Sequence, residues 1–372
     1  MHARIALCPG DGIGPEVLDE ARKTLDAIAD RYDHQVSYTE HLIGGAAIDA
    51  TGTALPEDTY AGCAAADAVL LGAVGGPKWD DPKATVRPEQ GLLAIRQRLG
   101  LWANLRPVTP YPCLHDLSPL RPEKLAGVDM LVIRELTGGL YFGQPKERTT
   151  GEGGLRAVDT LVYTEHEIRR VVELAFKIAA TRRSKVTSID KANVLESSRL
   201  WRQIAIEVAE RHPRIRIEHL LVDAAAMRLV THPSSFDVIV TENMFGDILT
   251  DEAAVLSASI GLLPSASLGD GEGRKRGLYE PIHGSAPDIA GQAIANPVGT
   301  ILSVAMLLRF SLGLEREAQC IERAVEDALR DGCRTRDVGG TLTTHAMGAA
   351  IRERLEEAAA GGSASAMLAR AF

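Results

Sequence analysis

Short apolar runs alternate along this chain with segments in which apolar residues recur at helical spacing. Residues 4–7 form the first such run. The next segment repeats apolar residues on one helical face, namely Val17, Leu18, Ala21, Leu25 and Ile28. Short apolar runs indicate buried strands, and longer periodic segments indicate helices. We therefore expect an α/β fold in which largely parallel strands alternate with helices.

The same alternation continues over most of the 372 residues. Further strands are predicted at residues 66–71, 128–133, 185–189, 217–222 and 236–240. Further helices are predicted at residues 168–179, 201–208 and 243–262.

Three segments show neither the short apolar runs of strands nor the helical spacing of apolar residues. Residues 138–162 are rich in glycine, threonine and charged residues, which predicts either a protruding β arm or a long loop. Residues 264–277 are predicted to form a loop, and the basic run at residues 273–277 is interpreted as a solvated turn. The tail after Leu355 is rich in alanine, glycine and serine, so we expect it to be frayed or disordered.

The composition limits the possible partners and compartments. A formal net charge of -9 argues against a nucleic-acid or anionic-membrane partner, so an anionic substrate would need a local basic cluster. None of the five cysteines belongs to a CxxC pair, which indicates reduced thiols rather than a zinc or disulfide framework. Because no signal peptide precedes the first run and no apolar stretch approaches the ~20 residues of a membrane span, we expect a cytoplasmic protein.

A glycine-rich turn with the sequence PGDGIGPE, residues 9–16, follows the first predicted strand. Its position between a strand and a helix is typical of a dinucleotide-binding Rossmann turn. The spacing excludes that motif, because the third glycine of GxGxxG would fall at Pro15. Pro15 instead fits the first turn of a helix. By itself the turn is compatible with a structural role or with a ligand loop.

Three arginines lie beside predicted apolar elements. Arg96 belongs to a periodic helix, Arg106 follows an apolar segment, and Arg134 ends the strand at residues 128–133. Guanidinium groups hold carboxylates bidentately and stay charged at any working pH. Each arginine alone is typical of a surface ion pair, but the three together in an acidic protein favour a clamp for an anionic substrate.

Two aspartates, Asp247 and Asp251, are four residues apart on the predicted helix at residues 243–262 and so face the same way. Like charges at this spacing repel each other unless a cation lies between them. Oxygen ligands alone suit Mg²⁺ or Mn²⁺, and Asp223, which ends the strand at residues 217–222, is a third candidate ligand. The alternative is a solvated helix face, but the apolar flanking sequence favours the metal.

Lys191 follows the predicted strand at residues 185–189. A lysine that is partly desolvated and lies near a dication can have a lowered pKa and act as a general base. The alternative for a single lysine at a strand end is a solvated surface residue.

Seven ordered motifs together resemble the isocitrate/isopropylmalate dehydrogenase family of β-decarboxylating hydroxyacid dehydrogenases, from about Arg4 to about Leu355. The motifs are GDGIGPE at residues 10–16, GGPKWD at 75–80, ANLRP at 103–107, RELTGGLYFG at 134–143, DKANVL at 190–195, NMFGDIL at 243–249 and EPIHGSAPDIAG at 280–291.

Two segments are similar to the isopropylmalate branch of this family. RELTGG at residues 134–139 stands where isocitrate and tartrate relatives usually carry RENTE. The helix start that contains Glu89, Leu92 and Leu93 would meet the variable group of the substrate and offers an apolar wall to an isopropyl group. Such a wall would leave the third carboxylate of isocitrate unpaired, which is costly.

The resemblance implies roles in substrate binding and catalysis. The substrate's carboxylates would be held by Arg96, Arg106 and Arg134. Lys191 would take the proton of the 2-hydroxyl, and Tyr141 would reprotonate the enol after CO₂ leaves.

The resemblance also implies two cofactors. Mg²⁺ or Mn²⁺ would bind Asp247 and Asp251, joined by Asp223 of the partner subunit, which would also contribute its lysine base. NAD is expected rather than NADP, because the carboxylate of Asp288 accepts ribose hydroxyls and repels a 2′-phosphate. The implied cofactor-binding residues are Gly76, Glu280, His283, Gly284, Ser285, Ala286, Pro287, Asp288 and Asn296.

The implied fold has two α/β lobes and is not a Rossmann fold. A discontinuous cofactor-binding domain would comprise residues 1–101 and 258–372, and residues 102–257 would form the dimerisation, metal and substrate domain. Shared active sites would make a homodimer obligatory, with residues 138–162 as the intersubunit arm. No chemical role is expected for Glu242 or for the insertion at residues 270–276.

Two alternatives remain open. A tartrate/D-malate or homoisocitrate dehydrogenase of the same family would share the catalytic residues. A regulatory relative without activity would bind the ligand only, although the presence of Lys191, Tyr141 and all three aspartates opposes this hypothesis.

Overall fold

The computed structural model describes residues 1–271 and 276–357, and it divides into two compact units. The first unit contains Met1–Leu101, Thr109–Pro122 and the described residues from Ala254 onward, and the second contains Trp102–Val108 and Glu123–Ala253. The sequence had placed residues 109–122 in the second domain, whereas the structure packs them with the first. Most of the basic run at residues 273–277 and the tail from residue 358 lie outside the described residues.

The described strands are β1 (His2–Gly10), β2 (Gln35–Glu40), β3 (Ala68–Ala73), β4 (Ala103–Val108), β5 (Met130–Glu135), β6 (Glu147–Gly151), β7 (Gly154–Val158), β8 (Lys185–Asp190), β9 (Arg216–Leu221), β10 (Val238–Thr241), β11 (Pro264–Leu268) and β12 (Gly277–Pro281).

The described helices are α1 (Gly14–Arg31), α2 (Gly44–Thr51), α3 (Glu57–Ala65), α4 (Pro88–Arg98), α5 (Pro122–Leu125), α6 (Glu165–Ala179), α7 (Glu196–Glu210), α8 (Val222–Thr231), α9 (Asn243–Ala254), α10 (Val298–Leu307), α11 (Glu315–Arg330) and α12 (Thr344–Glu357). Short 3₁₀ turns lie at Pro77–Trp79, Pro112–Leu117, Gly139–Tyr141, Pro233–Ser235, Val255–Ser257, Ile260–Leu262 and Arg336–Val338, and Leu308–Leu312 is a π-helical turn. The mixed α/β fold expected from the sequence is confirmed.

The first unit has five neighbouring strands in the order β2-β1-β3-β12-β11. The first four are parallel, and β11 runs antiparallel to β12. The prediction of a loop from residue 264 was wrong, because Pro264–Leu268 pairs with β12 and is buried throughout. A short run of proline, serine and alanine carries little strand propensity, and this pairing supplies the stabilisation.

The second unit has the strand order β4-β5-β10-β8-β9, in which only β4 is antiparallel to its neighbour. Helix α6 begins with a capping box, in which Thr164 and Glu167 bond each other's backbone N–H groups, and it buries the periodic residues that the sequence indicated. Residues 138–162 include the antiparallel hairpin of β6 and β7, so this segment contains β structure and is not a long loop throughout.

The helix predicted at residues 243–262 is shorter than expected. Helix α9 ends at Ala254, and Ala258 has a φ of 69°, a left-handed conformation that interrupts a helix. The side chain of Ile248 on this helix is 60% exposed. Strand β9 ends at Leu221, so Asp223 lies in the first turn of α8 and not at a strand end.

The five cysteines are free thiols; Cys8, Cys63 and Cys320 are buried, whereas Cys113 and Cys333 are half-buried. Among residues 1–271 and 276–357, no helix is long and apolar enough to cross a membrane.

Candidate active site

The polar cluster of the second unit lies where β5 and β10 end. These strands are parallel and pair Thr241 with Arg134, so Arg134 lies beside the start of α9. The Arg134 side chain is nearly buried and lies against Gly246, where an added Cβ would be only 2.7 Å from Arg134 Cγ. Glycine at this position therefore allows the arginine to lie along the helix. The carboxyl ends of parallel strands are where open α/β sheets bind ligands.

Asp247 is contacted by two of the predicted site residues. Arg134 Nη1 donates to Asp247 Oδ1, and Tyr141 Oη donates to Oδ2 at 2.8 Å. Tyr141 reaches this position from the 3₁₀ turn that follows β5. The carboxylate therefore lies between a fixed positive charge and a phenol that retains its proton.

Arg106 joins the same cluster from β4, and its side chain is also nearly buried. Its Nη2 lies 3.7 Å from Asp247 Oδ1, and its Nη1 lies 3.9 Å from Asp251 Oδ1. Thr250 Oγ1 accepts a hydrogen bond from Arg106 Nη1 at 2.5 Å. The structure thus brings together two of the three predicted arginines and both aspartates of α9.

Burial sets the protonation of this cluster. Desolvation, reinforced by Asp247, raises the pKa of Tyr141 to about 12. Partial desolvation also raises the pKa of Asp251, and the charge of Asp247 raises it further against the opposing effect of Arg106. Two carboxylates near each other are harder to ionise together, which is the condition that a bound dication relieves.

Lys191 and Asp223 form a separate pair. Lys191 follows β8, and its Nζ lies 2.5 Å from Asp223 Oδ1. This hydrogen bond lowers the pKa of the Asp223 carboxyl. Within the described part of this single chain, no three side chains of histidine, cysteine, aspartate or glutamate gather into a possible metal site. The carboxylates of Asp247 and Asp251 are suitable oxygen ligands for a hard dication, but two carboxylates do not complete its coordination.

Two residues at the start of α9, Glu242 and Asn243, make contacts that the sequence did not predict. Glu242 is 5% exposed; its Oε1 accepts the Phe245 N–H at 2.8 Å, and its Oε2 accepts from Tyr163 Oη at 3.3 Å. Asn243 Oδ1 accepts from Arg134 Nε and Nη2 at 3.0 and 2.8 Å. Glu242 therefore has a structural role, because it caps α9 and accepts a hydrogen bond from Tyr163, whereas no chemical role was expected for it. An acidic residue and an asparagine between strand and helix are a capping signal that could have indicated this.

In the first unit, Arg96 is paired with Glu280. Arg96 Nη2 donates to Glu280 Oε1, and both side chains are nearly buried. Within the described residues, Arg96 Nε has no hydrogen-bond partner, so this arginine retains an unused donor. Glu89 and Leu93 precede Arg96 on α4 at spacings that place all three on one helix face. Leu92, which was predicted to face the substrate, is half-buried and packs partly against the apolar core.

The predicted cofactor loop follows β12 and contains one unsatisfied buried group. His283 is 9% exposed, and its Nε2 has no hydrogen-bond partner among the described residues. Burial lowers the pKa of His283, so the ring is neutral at physiological pH. A buried neutral imidazole with an unused nitrogen fits a polar ligand such as a dinucleotide.

The other residues of the predicted cofactor site differ in their exposure to solvent. Gly284, Pro287 and Asp288 are exposed, and Ser285 is nearly buried. Asn296 Nδ2 donates at 3.0 Å to Asp337 Oδ2, a carboxylate that the sequence did not single out. The His283 Nε2 atom, unpartnered among the described residues and beside exposed loop residues, fits a polar ligand such as the expected dinucleotide.

Comparison with known proteins defines the class. A family model described as isocitrate/isopropylmalate dehydrogenase matches residues 4–351, and the chain belongs to this family. It is 65% identical over 355 residues to the 3-isopropylmalate dehydrogenase of Anaeromyxobacter dehalogenans, covering 95% of this chain and 100% of that protein. It is 54% identical to the 3-isopropylmalate dehydrogenase of Heyndrickxia coagulans, with 97% and 98% of the two chains covered.

A solved structure shows the same similarity. The isocitrate dehydrogenase of Methylococcus capsulatus has a TM-score of 0.84 and 35% identity to this chain, with 95% of this chain and 99% of that one covered. The similarity includes the segments that carry the arginines, Tyr141, Lys191 and the aspartates, because the family match spans all of them.

Proposed function

We propose that this chain catalyses the oxidative decarboxylation of (2R,3S)-3-isopropylmalate by NAD, which yields 4-methyl-2-oxopentanoate, CO₂ and NADH in leucine biosynthesis. The observation that carries the proposal is the cluster in which Arg106, Arg134 and Tyr141 all lie against Asp247. Buried guanidinium groups bind carboxylates, and a neutral phenol in the same cluster can return a proton. High identity to relatives named 3-isopropylmalate dehydrogenase supports the substrate.

Bound NAD would accept the hydride from C2, and Mg²⁺ or Mn²⁺ at Asp247 and Asp251 would polarise the 2-oxygen. Lys191 of the partner subunit would remove the 2-hydroxyl proton as the hydride leaves. Loss of the β-carboxylate as CO₂ then leaves its electron pair as an enolate across C3, C2 and the 2-oxygen. Tyr141 would donate its proton to C3, which restores the 2-oxo acid. The raised pKa of Tyr141 supports this role, because the phenol remains protonated until it is needed.

The substrate's variable group would meet α4. Leu93 lies between Glu89 and Arg96 on one face of this helix, and its side chain is half-buried. An apolar side chain beside the arginine suits an isopropyl group and disfavours a third carboxylate. Arg96, with its unused Nε, would take one carboxylate of the substrate.

A homodimer with shared active sites would complete the metal site. Among the described residues no three possible ligand side chains gather, so Asp223 of the partner subunit would supply a third carboxylate beside Asp247 and Asp251. Apolar side chains exposed on the second unit support a partner there, namely Leu155, Val162, Val194, Met227, Val230 and Ile248. Leu155 belongs to the β6–β7 hairpin, which would be the intersubunit arm.

NAD is proposed over NADP because Asp288 is exposed at the end of the cofactor loop. A carboxylate accepts hydrogen bonds from the adenosine ribose hydroxyls and repels a 2′-phosphate. The neutral ring of His283 adds no positive charge that would offset this repulsion.

The test is a substrate panel with full-length protein and Mn²⁺, in which NAD and NADP are compared for 3-isopropylmalate, D-malate and homoisocitrate. We expect the highest kcat/KM with 3-isopropylmalate and NAD. Leu93→Ala should lower kcat/KM for 3-isopropylmalate about tenfold and leave D-malate, which lacks the isopropyl group, unaffected. If 3-isopropylmalate proved the poorest of the three substrates, the tartrate/D-malate or homoisocitrate alternative would replace this proposal.

A further inference from the structure

The glycine-rich turn at residues 9–16 is not used by the substrate or metal chemistry, yet it contacts three separate segments of the first unit. Its central residue, Asp11, is 6% exposed and directly follows β1. We propose that Asp11 is a positioning residue that holds the loops of the dinucleotide site in place. This inference rests on the proposed function, because the loops concerned are those assigned to NAD.

Both carboxylate oxygens of Asp11 accept backbone N–H groups. Oδ1 accepts from Ala46 at 2.7 Å, and Oδ2 accepts from Gly45 and from Gly75 at 2.8 Å each. Gly45 and Ala46 belong to the first turn of α2, where N–H groups have no partner within the helix. The residue before α2 is Ile43, which has no side-chain acceptor, so Asp11 caps the helix from a distance. One side chain therefore joins β1, α2 and the Gly75 loop.

The Gly75 loop leads to the predicted site residues. Gly75 precedes Gly76 and has a φ of 113°, a conformation that favours glycine. An added Cβ at Gly75 would lie 3.0 Å from Glu89 Oε1 and 3.8 Å from Ser285 Oγ. The backbone that Asp11 holds is thus next to both α4 and the cofactor loop. If its N–H lost this acceptor, the loop would be free to shift against Ser285.

The residues that follow Asp11 hold the cofactor loop itself. Ile13 N donates to Ser285 O at 2.8 Å, and an added Cβ at Gly12 would lie 2.0 Å from the same oxygen. The buried cluster that contains Ile13 also packs against Ala286 and Ile289 of that loop. Ala286 has a φ of 37°, a conformation that persists in an alanine only where the surroundings enforce it. The turn thus fixes the conformation of the loop on which His283 and Asp288 lie.

A purely structural role for Asp11 makes a different prediction from a positioning role. A carboxylate that only stabilises the first unit would lower the unfolding temperature when it is changed and leave the affinity of the folded protein for nucleotide unaltered. A positioning residue would alter that affinity in protein that is still folded. Nucleotide binding without substrate is therefore the decisive measurement.

Asp11→Asn is the test variant, because it keeps the size of the side chain but points an amide nitrogen at N–H donors. Asp67→Asn is the matched control. Asp67 Oδ2 also accepts a backbone N–H, that of Arg4 at 2.7 Å, but it lies at the opposite end of the β1 and β3 strands. Gly12→Ala is a second test variant, since it leaves Asp11 intact and pushes directly on Ser285 O.

Titration calorimetry of the full-length protein with NAD and with NADP would give the Kd values, and circular dichroism would monitor folding. We expect Asp11→Asn and Gly12→Ala each to raise the Kd for NAD about tenfold or more, with a smaller change in kcat at saturating NAD. Asp67→Asn should stay within about twofold of the wild type. If Asp11→Asn does not fold, Asp11→Glu decides, because it keeps the charge but displaces the carboxylate from the N–H groups of Gly45, Ala46 and Gly75.

A folded Asp11 variant that binds NAD as tightly as the wild type would overturn the positioning role and leave the proposed function intact. Wild-type protein that binds neither NAD nor NADP would overturn the proposed function and this inference together. The two failures are distinguishable, because the second is seen before any variant is made.

Discussion

Tyr141 Oη lies 2.8 Å from Asp247 Oδ2, and the phenol donates this hydrogen bond. Arg134 occupies the other oxygen of the same carboxylate. Together with burial, the negative charge of Asp247 raises the pKa of Tyr141 to about 12, so the phenol keeps its proton at physiological pH. The pairing therefore holds a proton donor in its active form beside an arginine that would bind substrate.

Tyr141→Phe tests the proton donor. The substitution keeps the ring, over which the Arg134 guanidinium lies at 5.7 Å, and removes only the hydroxyl. We expect kcat to fall about 10²-fold or more and the substrate KM to change little, as measured by NADH absorbance. Tyr38→Phe is the control, because Tyr38 Oη bonds Asp26 at 2.6 Å in the first unit and has no proposed role. Unchanged kcat in Tyr141→Phe would remove Tyr141 from the mechanism.

Lys191→Met tests the general base. The variant removes the amine that lies 2.5 Å from Asp223, and we expect the rate to fall by about 10² to 10⁴ with NAD affinity preserved. Lys185→Met is a matched control at the other end of β8, where Lys185 pairs with Glu218 at 2.8 Å. Equal losses in the two variants would indicate a structural role for Lys191 and not a catalytic one.

Asp251→Asn tests the metal site. Removal of one of the two carboxylates on α9 takes a charged oxygen ligand from the dication. The Mn²⁺ concentration that is required for half-maximal activity should therefore rise about tenfold or more. Mn²⁺ should also raise the unfolding temperature of the wild type more than that of the variant. Glu252→Gln is the control, since Glu252 is the next residue on the same helix and faces away from Asp251. If chelation by EDTA left the wild-type rate unchanged, no dication would be required.

Asn243→Ala tests the orientation of Arg134. Two nitrogens of Arg134 donate to Asn243 Oδ1, and hydrogen bonds to charged groups contribute about 1.5–3 kcal/mol. Loss of this support should raise the substrate KM about tenfold or more and leave the Kd for NAD unchanged. Asn243→Asp should be more severe, because a second carboxylate would compete with the substrate for Arg134. Equal effects on substrate and NAD binding would contradict a specific role in orienting Arg134.

The burial of His283 predicts how the stability of the protein depends on pH. Burial lowers the pKa of His283 in the folded protein, so the unfolded chain binds its proton first as the pH falls. Stability is therefore highest above the unfolded pKa of about 6.5 and declines below it. His283→Gln should show a smaller loss of unfolding temperature between about pH 7.5 and about pH 5.5 than the wild type. Identical pH dependence in the two proteins would show that His283 is not buried in its neutral form.

The sequence by itself determined the α/β class and the positions of most strands and helices, because apolar periodicity is a local property of the chain. It also placed Arg134 and Lys191 at the ends of buried strands and Asp247 and Asp251 on one helix face. Local spacing is sufficient for these inferences. The roles of the residues came from the resemblance to a family and not from periodicity.

The tertiary structure decided the features that depend on contacts between distant segments. Strand β11 forms because it pairs with β12, and α9 is shorter than its apolar pattern suggested because the backbone turns at Ala258. The bonds of Asp11 to Gly75 and of Arg134 to Asn243 join residues 64 and 109 positions apart. No local pattern encodes such pairs, because a hydrogen bond depends on atoms that only folding brings within 3 Å of each other.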